Sequence, residues 1–235
     1  MAKNVTLKQA WSGEADCVNC TLRTSVLFSG LEQSDFQRIH DPIDQFVFNP
    51  GAVLYRAGDA GEFMYTIRSG VMKLLQYLPD GSQRIVRLVR TTDVLGLESL
   101  VSDTYQHDAI ALHRTEVCRF PSKLVRHLGQ ENPKLHDELM QRWQRALSEA
   151  DAWLTELSTG SAKQRIARLL LRLVHDSHSS ECELFSREDI GAMLGITTET
   201  SSRAIASFKR ESLLMETEPN RFLVDVPNLR RIAED

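Results

Sequence analysis

The stretch "DIGAMLGITTETSSRAIASFKRESLL", residues 189–214, decides how the end of the chain folds. Its first helical segment stops at Gly195, and glycine ends helices well because it adopts the left-handed conformation without strain. Ser186 can cap this first helix and Thr197 can cap a second one. Two helices joined by a short turn that contains glycine are the signature of a helix-turn-helix.

The flanking segments extend this prediction over residues 161–235. Upstream, "SAKQRIARLLLRLVHDS" has the apolar spacing of an amphipathic helix. Downstream, "LMETEPNRFLVDV" is typical of two short strands around Pro219-Asn220. The sequence therefore predicts a winged helix-turn-helix as the C-terminal domain.

Polar residues share one face of the second helix, because Glu199, Ser202 and Arg203 follow at i, i+3 and i+4. Arg can bond guanine O6 and N7, Glu can accept from cytosine N4, and Ser can bond a base or a phosphate. The alternative is an ordinary surface ion pair between Glu199 and Arg203. With caps, turn and wing in place, we favour base reading. Further candidates for DNA contact on this helix are Thr198, Thr200 and Lys209.

Residues 132–160 predict one long helix. Asn132 can cap it, Pro133 fits its first turn, and at 1.5 Å per residue the helix would be about 39 Å long. Its apolar stripe consists of Leu135, Leu139, Trp143, Leu147, Ala150, Leu154 and Leu157. So narrow a stripe is typical of a coiled-coil seam, so we expect a dimerisation helix. The alternative is a helix packed on its own domain.

Residues 26–131 have the pattern of an antiparallel β-barrel or jelly roll. Short apolar runs recur about every ten residues between turn signals, and Asp80-Gly81 indicates a hairpin. Gly51, Gly58 and Gly70 are positions where a turn between strands can require positive φ. The fold class is therefore α+β, with a β domain, a long helix and a winged helix-turn-helix.

Composition narrows the classes of function. The chain has 235 residues and a formal net charge of −4, with local positive strips at 161–175 and 196–210. No signal peptide or membrane span is visible, which predicts a cytoplasmic protein. No Ser/His/Asp triad, metal-protease motif or phosphate-cradling loop occurs, so we do not expect an enzyme. Four cysteines are too few for a disulfide framework in a cytosolic chain of this length.

A leader, residues 1–25, carries the paired cysteines Cys17 and Cys20. This spacing suits a metal, an iron–sulfur cluster or a thiol–disulfide exchange. A CxxC oxidoreductase is the weaker alternative, because such a site needs a strand-to-helix setting and this pair precedes the first predicted strand.

The order β domain, long helix, winged helix-turn-helix resembles the CRP/FNR superfamily of bacterial transcription regulators over nearly the whole chain. Glu199, Ser202 and Arg203 match the Glu-x-x-Ser-Arg recognition signature of its FNR branch. The resemblance implies a homodimer that reads an inverted repeat of TTGAT-like half-sites in double-stranded DNA. It also implies work with RNA polymerase as an activator.

The β domain resembles the cyclic-nucleotide-binding type but departs from it at the ligand positions. Cyclic-nucleotide binders of the family have Gly-Glu for the ribose and Arg-Ser or Arg-Thr for the phosphate. This chain has Gly96-Leu97-Glu98 and His107-Asp108-Ala109 instead. Without the arginine, and with Asp108 to repel a phosphate, cyclic AMP is not expected as the effector. A cyclic-nucleotide-responsive regulator stays as the alternative reading.

The FNR branch holds a [4Fe–4S] cluster by three N-terminal cysteines and a distant one. Cys17, Cys20 and Cys118 match three of these positions, whereas Val26 stands at the fourth. A cluster usually takes four ligands, and Asp16 or His40 could complete the set. Haem, with His40, His107 or His113 as ligand, is a further option within the superfamily. A redox or small-molecule signal is therefore expected at the N-terminal domain.

Overall fold

The structure is a computed structural model of the chain, and it describes residues 6–16, 20, 22, 27, 43–177 and 179–234. The chain forms two compact units. One comprises the chain up to Gln76 together with Val86–Ser148, and the other comprises Tyr77–Ile85 and Glu149–Asp235. Three positions considered above for a cofactor lie outside the described residues, namely Cys17, Val26 and His40.

Two antiparallel sheets form the N-terminal domain. The five-stranded sheet has the order β1-β2-β9-β4-β7, and the four-stranded sheet has the order β3-β8-β5-β6. The strands are β1 (Trp11–Glu14), β2 (Asp44–Phe48), β3 (Val53–Tyr55), β4 (Phe63–Ser69), β5 (Val71–Tyr77), β6 (Gln83–Arg90), β7 (Val94–Leu95), β8 (Asp108–Ala111) and β9 (Thr115–Pro121). The predicted jelly roll is confirmed, although the two sheets remain separate rather than closing into one barrel.

Strand β1 corrects the expectation that the cysteine pair precedes the first strand, because β1 lies in the leader ahead of Cys17. Trp11–Glu14 pairs with β2, and the Trp11 indole N–H donates to Asp44 Oδ1 at 3.0 Å. The strand has four residues and a register shift between Trp11 and Gly13, so it shows no alternating pattern. A strand this short is stabilised by its long-range partner rather than by its own sequence.

Alternating apolar residues fill the space inside the jelly roll. Phe48, Ile67, Met72 and Val117 are completely buried there. The three predicted glycines all have positive φ, namely Gly51, Gly58 and Gly70. At Gly70 the requirement is double, because φ is 92° and a Cβ would lie 2.7 Å from the Thr115 Cα. Only glycine fits that turn.

Helices follow the sheets. A short helix α1 (Leu7–Ala10) precedes β1, and a 3-10 helix spans Leu97–Leu100. After β9 come α2 (Ser122–Glu131), α3 (Pro133–Ala152) and a π-helical turn, Trp153–Leu157. The Asn132 side chain accepts from the Lys134 N–H at 3.0 Å, so the predicted cap is confirmed. Helix α2 has no counterpart in the sequence prediction.

The apolar residues of the long helix do not all have the same surroundings. Leu135 and Leu139 are 1% and 6% exposed and pack in the apolar core of their own domain. Leu157 is also buried, whereas Leu147 and Leu154 are 57% and 65% exposed. The expectation of one continuous seam from Leu135 to Leu157 is therefore wrong. Part of the stripe packs within the chain, and Leu147 and Leu154 are left exposed.

The C-terminal unit contains the predicted winged helix-turn-helix. Its elements are α4 (Ala162–Ser177), β10 (Glu181–Glu183), α5 (Arg187–Leu194), α6 (Thr198–Arg210), β11 (Leu214–Glu218), β12 (Arg221–Val224) and α7 (Val226–Glu234). The wing sheet has the order β10-β12-β11, so a third strand joins the two that the sequence indicated. In the described part of the chain, no helix is both long and apolar enough to cross a membrane.

Candidate nucleic-acid interface

Local capping fixes the geometry of the helix-turn-helix. Ser186 accepts from the Asp189 N–H at 3.0 Å and caps α5. Gly195 ends α5 in the left-handed conformation, with φ 63° and ψ 42°. Thr197 then caps α6, because its hydroxyl accepts from the Thr200 N–H at 3.2 Å. These caps satisfy backbone groups at the ends of both helices, so the turn between α5 and α6 is defined by its own sequence.

Helix α6 has one buried and one exposed face. The buried face holds Ser201, Ala204, Ile205 and Phe208. The predicted base-reading residues Glu199, Ser202 and Arg203 are all exposed, as is Thr198. An amphipathic helix with a polar outer face at the second position of a helix-turn-helix is able to enter a major groove.

The Glu199 and Arg203 side chains do not form the ion pair that was the competing interpretation. Among the described residues, no salt bridge joins them; Arg203 Nη2 instead donates weakly to Thr200 Oγ1 at 3.5 Å. The pKa of Glu199 lies below its ordinary value, mainly because its own backbone N–H and the Thr197 hydroxyl bond the carboxylate. The two side chains thus have different hydrogen-bond partners, although Arg203 is near enough to contribute to the lowered pKa of Glu199. Their polar groups remain accessible to a ligand.

Lys209 differs from the other candidates, because its ammonium group forms an ion pair within the domain. Its ammonium lies 2.9 Å from Glu216 Oε2 on the wing and 4.5 Å from the centre of the Phe222 ring. Thr200 is half-buried and accepts from both Thr197 and Arg203. Thr200 is therefore placed to orient Arg203 as well as to contact a phosphate.

The cations of α4 hold the C-terminal unit together. Arg165 donates to the Leu194 carbonyl at 2.7 Å, which satisfies a carbonyl in the last turn of α5. Arg168 donates to the Ala233 carbonyl at 2.8 and 2.9 Å. Lys163 pairs with Glu211 at 3.0 Å. The cations Lys163, Arg165 and Arg168 of the positive strip at 161–175 therefore have partners within the C-terminal unit.

The thiol site of the N-terminal unit is only partly described. Cys118 lies in β9 between β2 and β4, and Arg68 Nη1 donates to its sulfur at 3.8 Å. Burial raises the pKa of Cys118, the Arg68 hydrogen bond lowers it, and the nearby Cys20 thiol raises it. The Cys20 thiol is near enough to Cys118 to act on its pKa, and the joint site of Cys17, Cys20 and Cys118 stays a prediction. In the described residues, no group of three or more His, Cys, Asp or Glu is placed to hold a metal.

The donor set does not fit a four-cysteine cluster. Cys20 and Cys118 are thiols that form no disulfide, Cys17 lies beyond the described residues, and Val26 supplies no ligand atom. Cys182 lies in β10 of the other unit, where burial raises its pKa to about 11. Three thiols are one fewer than the usual count for [4Fe–4S].

A carboxylate stands at the position where the family resemblance places phosphate recognition. Asp108 is 5% exposed; its Oδ1 accepts from the Ala57 N–H at 2.8 Å and its Oδ2 lies 3.4 Å from Arg56 Nη1. Sequence reasoning named Asp108 but missed Arg56, which is 52 residues away and comes close only through the pairing of β3 with β8. The Asp108 carboxylate therefore lies where the resemblance would place a bound phosphate.

Comparison with known proteins matches both halves of the chain. The family model described as a cyclic nucleotide-binding domain matches residues 45–132, and that of a Crp-like helix-turn-helix domain matches residues 164–232. The transcriptional activator protein anr of Pseudomonas aeruginosa is 28% identical, covering 97% of this chain and 96% of that protein. The electron transport regulator A of Shewanella oneidensis is 26% identical, covering 98% and 96%.

Solved structures support the same architecture. FixK2 from Bradyrhizobium japonicum aligns with a TM-score of 0.74 at 22% identity, covering 81% of this chain and 96% of that one. The similarity at this level of identity concerns the fold.

Proposed function

The chain belongs to the CRP/FNR family of transcription regulators, which are not enzymes, and from this premise we propose that it reads an inverted repeat of TTGAT-like half-sites. DNA is a partner because the chain carries the family's helix-turn-helix. The finer proposal rests on one observation: Glu199, Ser202 and Arg203 are exposed together on α6, and among the described residues no salt bridge joins Glu199 to Arg203. Exposed hydrogen-bonding groups on a capped helix of this kind suit direct readout of base edges.

We propose that the protein acts as a homodimer. Met140, Leu147 and Leu154 are 42%, 57% and 65% exposed and follow one another at intervals of seven residues. A heptad of exposed apolar residues is the pattern of a two-stranded coiled coil. An inverted repeat needs two recognition helices about 34–36 Å apart, which a dimer supplies. Activation through RNA polymerase is proposed from the family and from the printed name of the Pseudomonas relative.

We propose further that Cys17, Cys20 and Cys118 form one redox-responsive thiol site. The proximity of Cys20 to Cys118 and the hydrogen bond from Arg68 to Cys118 support it. Burial raises the pKa of Cys118 overall, and the Arg68 hydrogen bond partly offsets this by stabilising the thiolate, which is the reactive form. Because the thiols are too few for an all-cysteine [4Fe–4S] cluster, no cluster is required by this proposal, and iron and sulfide analysis distinguishes the two.

The test of DNA reading compares a labelled duplex carrying the inverted repeat with a scrambled duplex, by fluorescence anisotropy at fixed salt. Arg203→Ala should lose about 1–3 kcal/mol of specific binding free energy per half-site. Arg203→Lys keeps the charge but not the two-pronged hydrogen bond, so it should also lose discrimination. Arg230→Ala removes an exposed arginine from α7 and serves as the charge-matched control. Wild-type discrimination by Arg203→Ala would disprove the assignment.

A further inference from the structure

A cavity lies among the helices that follow the sheets of the N-terminal unit. Its volume is about 470 Å³, within the roughly 300–1,000 Å³ that small-molecule pockets have. The residues that line it belong to the 3-10 helix Leu97–Leu100 and the residue after it, to α2 and to α3. Among the described residues, no strand of the jelly roll lines it. This space, here called the helical cavity, is therefore separate from the space between the two sheets.

Apolar side chains form the walls of the helical cavity. Val125 and Leu139 line it and belong to the apolar core behind it, and the half-buried Trp143 packs against the same core. Two further lining residues, Val101 and Met140, are 73% and 42% exposed and therefore lie toward solvent. A concave surface with buried apolar walls and an open side suits the apolar part of a ligand.

Gly129 leaves space in the helical cavity. It lies inside α2, where glycine is less favourable than alanine. Its φ is not in the left-handed region, so the backbone does not require glycine there. Packing does not require it either, because a Cβ would lie at the ordinary distance of 3.5 Å from Leu139 Cδ1. Since Gly129 lines the cavity, its missing side chain keeps open a volume that a larger residue would fill.

Arg126 supplies a cation beside the apolar walls. Its Nη2 donates to the Ser99 carbonyl at 3.1 Å, which fixes the guanidinium next to the 3-10 helix. A guanidinium has five N–H donors in a planar fork, so Arg126 can also bond a carboxylate.

The α3 side of the cavity limits the charge that a ligand can carry. His136 and Asp137 both line the cavity there and are exposed. The Asp137 carboxylate repels anions, so it disfavours a ligand with more than one negative charge, such as a phosphate or a dicarboxylate. One cation, one anion and apolar walls together favour a ligand with a single carboxylate and an apolar chain.

We propose that the helical cavity binds an amphipathic monocarboxylate with an apolar chain of about ten carbons, its carboxylate on Arg126 and its chain against Val125, Leu139 and Trp143. A medium-chain fatty acid has this chemistry. The competing occupant is a second copy of the chain, because Met140 belongs both to the cavity and to the exposed heptad of α3. The inference goes beyond the DNA-reading function and is independent of it.

The experiment titrates decanoate into the full-length protein by calorimetry, below the concentration at which decanoate forms micelles and without DNA, so that the outcome does not depend on operator recognition. We expect a Kd below about 0.1 mM. Octanoate should bind about tenfold more weakly, because two fewer methylene groups are buried. Acetate lacks the apolar chain and should not bind. Decyltrimethylammonium has the same chain with the opposite charge and should bind at least about tenfold more weakly than decanoate.

Variants locate the binding. Gly129→Leu fills the cavity and places a better helix former in α2, so decanoate binding should be lost while Tm does not fall. Arg126→Gln should weaken decanoate about tenfold and leave the affinity for the uncharged decanol unchanged. Lys123→Gln removes an exposed cation of α2 outside the cavity and is the matched control, which should bind decanoate as wild type does.

Two outcomes would overturn the proposal. The first is that decanoate binds Gly129→Leu and Arg126→Gln with wild-type affinity, because the ligand would then lie elsewhere. The second is that decanoate does not bind the wild-type protein. If sedimentation then shows that Gly129→Leu changes the mass of the protein, the helical cavity is an interface between two copies of the chain.

Discussion

Lys209 on the recognition helix and Glu216 on the wing form an ion pair, with Nζ 2.9 Å from Oε2. The pKa of Glu216 is lowered, first by this lysine and then by the Asn220 N–H, so the carboxylate is ionised. One cation of the DNA-reading helix is thereby neutralised by the wing that follows it. The pair connects α6 to β11 and reduces the positive charge offered to phosphates.

Glu216→Gln should therefore strengthen binding to any duplex, because Lys209 becomes available to a phosphate. Each added phosphate contact releases counterions, and the proposed dimer gains one contact in each subunit, so the slope of log K against log salt should become steeper by about two. Affinity measured over a salt series checks this. Glu234→Gln, at the exposed end of α7, removes the same charge elsewhere and should leave the slope unchanged. An unchanged slope in Glu216→Gln would mean that Lys209 does not reach the DNA backbone.

The dimer proposal predicts a specific pair of substitutions. Leu147→Lys with Leu154→Lys places two charges in the exposed apolar heptad and should give monomers, with much weaker binding to the inverted repeat. Sedimentation at micromolar concentration measures the mass. Gln141→Lys adds a charge to an exposed position of α3 outside the heptad and should remain dimeric. A double variant that stays dimeric would place the interface elsewhere.

The helix-turn-helix could be predicted from sequence because its determinants are local. Ser186, Gly195 and Thr197 act on backbone groups within a few residues, and the i, i+3, i+4 spacing fixes the outer face of α6. The long helix could be predicted only in part. Periodicity identifies an apolar stripe, but it does not say whether Leu139 or Leu147 meets its own domain or a partner.

The interior of the jelly roll could not be predicted, because its contacts join distant positions. Asp108 meets Arg56 through strand pairing, and Cys118 meets Arg68 across 50 residues. Neither pair has a periodic signal in the sequence. The same is true of Tyr55 and Glu98, whose neighbourhood arises only when β3 and the 3-10 helix come together in the folded domain.

Asp108 should make the jelly roll unresponsive to cyclic AMP and should contribute to stability. Cyclic AMP at about 1 mM is expected to leave Tm and operator affinity unchanged. Asp108→Ala removes the acceptor of the Ala57 N–H and the partner of Arg56, which should cost about 1–3 kcal/mol of unfolding free energy in urea. Asp103→Ala, at an exposed position nearby, should cost less than about 0.5 kcal/mol. A rise in Tm with cyclic AMP would contradict the role given to Asp108.

His107 should make stability depend on pH. Burial lowers its pKa in the folded protein, Glu98 opposes this, and Arg87 adds to it. The unfolded chain therefore binds a proton at a higher pH than the folded chain does, so stability is retained above the ordinary pKa of about 6.5 and falls as pH drops below it. Between about pH 7.5 and 5.5, wild type should lose more unfolding free energy than His107→Gln. His127→Gln, an exposed control, should keep the wild-type slope.

Cys17, Cys20 and Cys118 should couple oxidation to DNA affinity. A leader thiol and Cys118 can form a disulfide when a peroxide accepts their two electrons and two protons and leaves as two waters. Arg68 lies 3.8 Å from the Cys118 sulfur and favours its thiolate, while burial opposes ionisation. Such a bond would tie the leader to β9, which leads directly into α2 and then α3, the proposed dimer helix. Oxidation could thereby bias a two-state dimer interface.

Single substitutions test the coupling. Cys17→Ser and Cys118→Ser should each abolish the difference in operator affinity between oxidised and reduced protein, whereas Cys182→Ser, buried in β10, should preserve it. Peptide mapping of the oxidised protein should recover a disulfide that contains Cys118, the thiol of the proposed site that lies within a strand of the jelly roll. About four iron and four sulfide per chain after anaerobic purification would instead identify a [4Fe–4S] cluster. If the oxidised and reduced wild-type proteins bind the operator with equal affinity, the cysteines have no role in signalling. Oxidation can change operator affinity only if it stabilises one state of the protein more than the other.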